Sequence, residues 1–331
     1  MRRLFSVFVR SAWFLVVSYQ LSVVSCQLSV VSYRLSVHRS PFTVHSLQFL
    51  NYFLSIFPIF LFLTGTAPAQ ISDTNEIICS TKFNWAAANH LQTRPIGDLI
   101  AEAGKSFIGT DYAAHTLESA GEEKLVVDLQ TLDCVTFYEN SLVLARCIKK
   151  GTTTFDDYKK ELQFVRYRGG KLDGYPSRLH YTSDYFYDSE KKGILKDITS
   201  ELGGVPLKKK IDFMSTHPDA YPALKTNPEF ADRIKKIEDS MNARQIFYIP
   251  KSRVKSIASK IRNGDILGIT TSLEGMDCSH TGIAIWKDGE LRFMHAPVPG
   301  KKVQITSMPL WEYLEKNNKQ TGIIVMRALE P

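Results

Sequence analysis

Cys134 lies in Leu-Asp-Cys-Val-Thr-Phe-Tyr-Glu, at the first position of an amphipathic stretch that follows a β-branched segment. A cysteine at a helix start meets unpaired N–H groups and the positive end of the helix dipole, which lower a thiol pKa and favour the thiolate. That is the setting of a sulfur nucleophile, although a small buried structural cysteine would occupy the same place. Two histidines bear on the choice. His280 opens the apolar run Thr281–Trp286, and His295 lies in Glu290–Ala296. The intervening Asp288-Gly289 predicts a two-residue hairpin turn, which sets Lys287 opposite Glu290 and His280 opposite Pro297. His295 then becomes the diagonal neighbour of His280 on the same face of the ladder. Two satisfied strand histidines would give the same pattern. With Cys134, however, the three supply nucleophile, base and orienter for acyl transfer through a thioester.

A metal is the rival reading, since Asp277, Cys278, His280 and His295 are all zinc-competent. Cys278 and His280, two apart on a strand, are expected to point the same way, but a metal there leaves Cys134 without a purpose. A thiol hydrolase with no metal or cofactor is therefore expected.

The elements that must position these groups follow from periodicity. Residues 75–109 read as helical, with Ile96, Leu99, Ile100, Ala103 and Phe107 on one face. LVVDL (125–129) reads as a short strand, Cys134 to Lys149 as a helix, and Thr-Phe-Asp-Asp onward as a second, capped helix. GDILGITT, TGIAIW, ELRFMHA and GIIVMRAL read as strands, with PLWEYLEKN as a helix before the last. Helices followed by antiparallel strands predict an α+β domain. Residues 166–230, crowded with Tyr, Arg and His, show little core periodicity and read as an elaboration that builds substrate contacts.

The order LDCVTFYE, CSHTGIAIW, FMHAP resembles the NlpC-type cell-wall peptidases, in which a D-C motif opens a helix and H-x-G-I begins a strand. Tyr112, in GTDY, looks like the tyrosine of that superfamily's turn beside the nucleophile. More narrowly, RYR…YPSRLHYTSDY with NGDILGITT…GMDCSHTGIAI is similar to the N-acetylmuramoyl-L-alanine amidase-like branch, over roughly residues 90–330. The resemblance implies a papain-like fold with a large insertion at about 150–260. It also implies cleavage of the amide between the muramic lactyl group and L-Ala of peptidoglycan fragments. Cys134 would attack, His280 protonate the leaving amine, His295 orient it, and helix-start N–H groups with Tyr112 hold the oxyanion. Arg178, His180, Tyr181 and Asp184 are the candidate substrate-binding residues. A stem endopeptidase on the same fold, or a silent wall-binding module, remains an alternative.

The whole chain agrees. Of the net charge of +7, five Arg lie in residues 1–70 with no Lys or acid, leaving 36 basic against 34 acidic groups. Charge therefore gives no case for nucleic acid. Residues 1–46 contain VVSYQLS, VVSCQLS and VVSYRLS, near-identical heptads read as a translated upstream repeat. Residues 47–70 read as a signal peptide ending Ala67-Pro68-Ala69, short for a membrane span. The expectation is one exported domain over 71–331, in the periplasm or cell envelope, unanchored after cleavage and monomeric. Cys79, Cys147 and Cys278 are open to disulfide pairing or burial.

Overall fold

The computed structural model describes residues 73–118, 121–298 and 301–331. The expected upstream repeat (1–46) and signal peptide (47–70) lie outside these residues. Among the described residues no helix is long and apolar enough to cross a membrane.

The first half is helical. α1 (Thr74–Ala88) is capped by Asp73, and α2 (Ile96–Lys105) follows a turn. Two short strands, β1 (Asp111–Tyr112) and β2 (Thr131–Leu132), pair in parallel and lead into α3 (Cys134–Lys150). α4 (Phe155–Arg166) starts at a capping box between Thr154 and Asp157. The expected strand at 125–129 does not form, because side chains take its backbone groups instead. Leu129 N–H donates to Asn75, and Arg166 and Asn140 donate to the carbonyls of Val126 and Asp128. With those groups satisfied, no strand partner is needed.

The middle of the chain carries more structure than its sequence suggests: α5 (Thr182–Lys191), β3 (Leu195–Asp197) and β4 (Val205–Pro206), then α6 (Phe213–Thr216), α7 (Pro222–Thr226) and α8 (Pro228–Asn242). Tyr175, Tyr181, Ile211, Met214, Leu224, Ile234 and Met241 close a small core of their own.

β5 (Phe247–Pro250) and α9 (Lys251–Ile257) precede the main strands β6 (Ile266–Thr271), β7 (Cys278–Lys287), β8 (Glu290–His295), β9 (Gln304–Ile305) and β10 (Gln320–Ala328). α10 (Leu310–Glu315) precedes the last. The strand order is β4-β5-β10-β6-β7-β8-β9, all antiparallel, with β3 also paired to β10. Alternation along the strands buries both faces. Ile283, Ile285, Ile324 and Met326 meet α1–α5, whereas Ala284, Ile323 and Val325 meet α9 and α10. A sheet covered on both sides explains why these strands read as unbroken apolar runs. The architecture is thus α+β, helices packed on an antiparallel sheet.

Candidate active site

Asp133 defines the start of α3. Its carboxylate accepts from Val135 N–H (3.0 Å) and Thr136 N–H (2.7 Å), while the Thr136 hydroxyl accepts from Asp133 N–H (2.9 Å). Such a box contributes on the order of 1 kcal/mol to the helix. It also changes the electrostatics expected from sequence. The cap occupies two of the helix-start donors and places a negative charge beside the thiol. Burial first, and Asp133 second, push Cys134 up to about 11, against smaller opposing hydrogen bonds from Thr281 and the backbone. Burial and the acidic cap thus act against the helix dipole and oppose a preformed thiolate.

The β7–β8 hairpin has the register that the turn residues require. Lys287 faces Glu290 and Ile283 faces Met294, with Asp288 and Gly289 both at positive φ. His280 Nε2 and His295 Nδ1 lie 2.7 Å apart, the diagonal contact expected. Burial lowers His280 to about 4; burial, then His280, lowers His295 to about 3. Burial thus favours the neutral form of both rings, and in the tautomer where His280 Nε2–H donates to His295, His280 Nδ1 is free to take a proton. His295 is 1 % exposed and its Nε2 is buried without a hydrogen bond. Packing holds the pair. Phe293 lies against both rings, and Tyr313 of α10 meets His295 edge-on at 5.3 Å. Gly282 makes room for this, since a Cβ there would sit 2.7 Å from the Phe293 ring and 2.5 Å from Met294 O.

One feature of β7 departs from the alternation expected. Ile269 pairs with His280 but Thr270 pairs with Cys278, so Ser279 is an extra residue in a bulge. Paired residues share a face, which puts Cys278 and His280 on opposite faces rather than the same one. Cys278 turns toward α5, buried and free, as are Cys79 and Cys147. His280 lines, with Cys134, a cavity of about 150 Å³. Next to it, the Thr281 hydroxyl donates to Cys134 O at 2.8 Å, tying the strand to the helix start.

The candidate binding residues separate into two pairs. His180 and Tyr181 line that cavity with Phe213, Met214, Tyr221 and Met276. His180 Nε2 lies 2.9 Å from Tyr175 O, and burial, aided by Arg178, lowers it to about 3. The Tyr181 hydroxyl donates to Glu238 and accepts from Met214 N–H. Arg178 and Asp184 are elsewhere. Arg178 is buried against Leu117 O, Glu118 and Glu123, and Asp184 is 1 % exposed between Arg168 and Arg244. Both have protein partners, because a buried charge must have them. Tyr112 does not line the cavity, but the β1–β2 pairing brings it close to Cys134. Burial first, then Cys134 and Asp133, raise its hydroxyl to about 12. Phe293, Thr281 and Tyr313 were not singled out in the sequence; only Thr281, adjacent to His280, carried a local signal.

The N-acetylmuramoyl-L-alanine amidase-like (AmiA-like) family matches residues 102–323. A solved N-acetylmuramoyl-L-alanine amidase from Bacteroides uniformis is 36% identical, with a TM-score of 0.68, covering 71% of this chain and 99% of its own. A Bacteroides fragilis structure provisionally named a xylanase is also 36% identical, with a TM-score of 0.65, covering 69% of this chain and 99% of its own. A Legionella pneumophila protein, LPG0564, at 23% identity and a TM-score of 0.59, covers 77% of this chain and 95% of its own, and shares the fold. No curated protein matches the chain. By sequence and by fold, this chain belongs to the N-acetylmuramoyl-L-alanine amidase-like family.

Proposed function

We propose that the protein is a cysteine hydrolase of papain-like NlpC type that cleaves the amide between the muramic lactyl group and L-Ala in peptidoglycan fragments. The observation that carries this is the His280–His295 bond at 2.7 Å, made at the cavity that His280 and Cys134 both line. His280 Nδ1 takes the thiol proton as sulfur attacks the lactyl carbonyl. The Cys134 amide, left over by the Asp133 cap, and the Tyr112 hydroxyl are the donors for the oxyanion. His280 then protonates the leaving amine, and water cleaves the thioester, restoring thiol and imidazole. Because the pair starts neutral, proton transfer accompanies attack rather than preceding it. The signal-type segment 47–70 supports action outside the cytoplasm, and no anchor is invoked after its cleavage.

The xylanase name of one neighbour suggests glycoside hydrolysis, which uses two carboxylates flanking the bond. The cavity has one, Asp277, whose oxygens accept from Ser183 and Cys278 N–H groups, so it is committed to the backbone. Mass spectrometry of purified muropeptides incubated with the protein and with Cys134→Ala tests the proposal. Free stem peptide beginning at L-Ala, from the unaltered protein alone, is expected. Cleavage inside the stem makes it an endopeptidase; no product from the folded protein favours a wall-binding module.

A further inference from the structure

α6, Phe213–Thr216, is a single helical turn, too short to persist on its own hydrogen bonds. It nevertheless forms one wall of the cavity that Cys134 and His280 line, through Phe213 and Met214. Its N-cap residue does not cap it, because Asp212 turns its carboxylate to Lys210, at 2.8 Å. The orphan amides of the turn are taken by three distant parts of the chain. Phe213 N–H donates to Gly275 O at 3.1 Å, Met214 N–H to the Tyr181 hydroxyl at 2.8 Å, and Ser215 N–H to Glu238 at 3.0 Å.

Glu238 ties two of those three together. The oxygen that takes Ser215 N–H, Oε1, also accepts from the Tyr181 hydroxyl at 2.7 Å. The side chain is 1 % exposed, and Oε2 is buried without a hydrogen bond. Asp184 and Asp188 are buried against Arg244 and Lys192, whereas Glu238 is held by a phenol and a backbone amide. Burying a carboxylate on such terms opposes folding, so its value lies in what it holds. One turn further along α8, Asn242 donates to Ile211 O at 2.8 Å and accepts from Ile211 N–H at 2.9 Å. α8 therefore grips the chain on either side of Asp212, and the wall of the cavity follows from that grip.

We propose that Glu238, which does not itself line the cavity, is a specificity-determining positioning residue: through Tyr181 and the start of α6 it sets the wall against which substrate lies beside Cys134. This rests on Cys134 and His280 being the reacting pair of the proposed hydrolase. The Tyr181 hydroxyl then serves the wall, its proton and one lone pair being already used.

Steady-state kinetics of Glu238→Ala on muropeptides separate positioning from chemistry. KM is expected to rise about tenfold with kcat within about threefold, since the thiol and both histidines keep their own contacts. Glu238→Gln should recover most of the loss, because its carbonyl oxygen still accepts from Tyr181 and Ser215. Tyr181→Phe should also raise KM, and the two changes together should cost no more than the larger alone. A fall in kcat at unchanged KM overturns the proposal, as do unchanged kinetics or a Gln variant as impaired as the Ala one. If Glu238→Ala unfolds by circular dichroism, Tyr181→Phe carries the same test. A second readout stands apart from the amidase reading, because it needs no turnover. The rate of Cys134 alkylation by a bulky maleimide, relative to iodoacetamide, should rise several-fold in Glu238→Ala as the wall loosens, whichever bond the protein cuts. An unchanged ratio overturns the proposal and leaves the amidase reading intact.

Discussion

The start of α3 with the β7–β8 hairpin, and the stretch from Arg166 to Arg244, differ in how they carry charge. In the first, two imidazoles that burial keeps from protonating share one hydrogen bond beside a thiol whose ionisation burial opposes. In the second, charges are matched: Arg166 with Glu139, Arg168 and Arg244 with Asp184, Lys192 with Asp188. The crowded charges hold the elaboration together, and the sparse neutral groups are the ones the proposed reaction uses. Charge density in a sequence is thus a poor guide to a site when each charge has a countercharge to bury against.

Substitutions can break that contrast. The largest effect is expected at Cys134→Ala, a loss on the order of 10⁵ in kcat with the thermal midpoint preserved. His295→Leu is expected to reduce kcat by about 10³, with His295→Asn recovering part of it, because Asn can still accept from the His280 ring. Steady-state rates with matched circular dichroism check both. Asp184→Ala should do the reverse, costing about 3–5 kcal/mol in denaturant unfolding with kcat per folded molecule nearly unchanged. A large activity loss without destabilisation there would erase the distinction between the two regions.

Titration sharpens it. With the thiol near 11 and His280 near 4, alkylation of Cys134 by iodoacetamide should climb steadily from neutral to alkaline pH. A plateau from acid to neutral pH would instead mean a resting ion pair. His180, His280 and His295 are all depressed in the folded state relative to about 6.5 unfolded. Their contribution to stability is therefore complete above pH 6.5 and is lost as pH falls toward 4 and 3. Gly282→Ala is expected to lower the thermal midpoint together with about a tenfold fall in kcat, because both the Met294 backbone and the Phe293 ring must give way.

The hairpin register and the His280–His295 contact were legible in sequence where local rules fix them. Asp288-Gly289 set the hairpin register, and period-two alternation set His295 diagonal to His280. The Ser279 bulge was not legible, since an extra residue has no signature until its partner strand is known. Nor was the raised pKa of the thiol. A helix-start position suggests a lowered pKa, but the sign depends on how deeply the fold buries it and on where Asp133 points. The failed strand at 125–129 has a similar cause, its backbone being claimed by side chains far along the chain, such as Arg166.

The central claim is that Cys134 carries the acyl group of the lactyl–L-Ala amide. Acid-quenching the protein with a muropeptide and mapping the digest by mass spectrometry tests it directly. The account predicts one modified peptide, containing Cys134 and heavier by the muramoyl acyl group. An adduct derived from the peptide stem, or one on another residue, would contradict it.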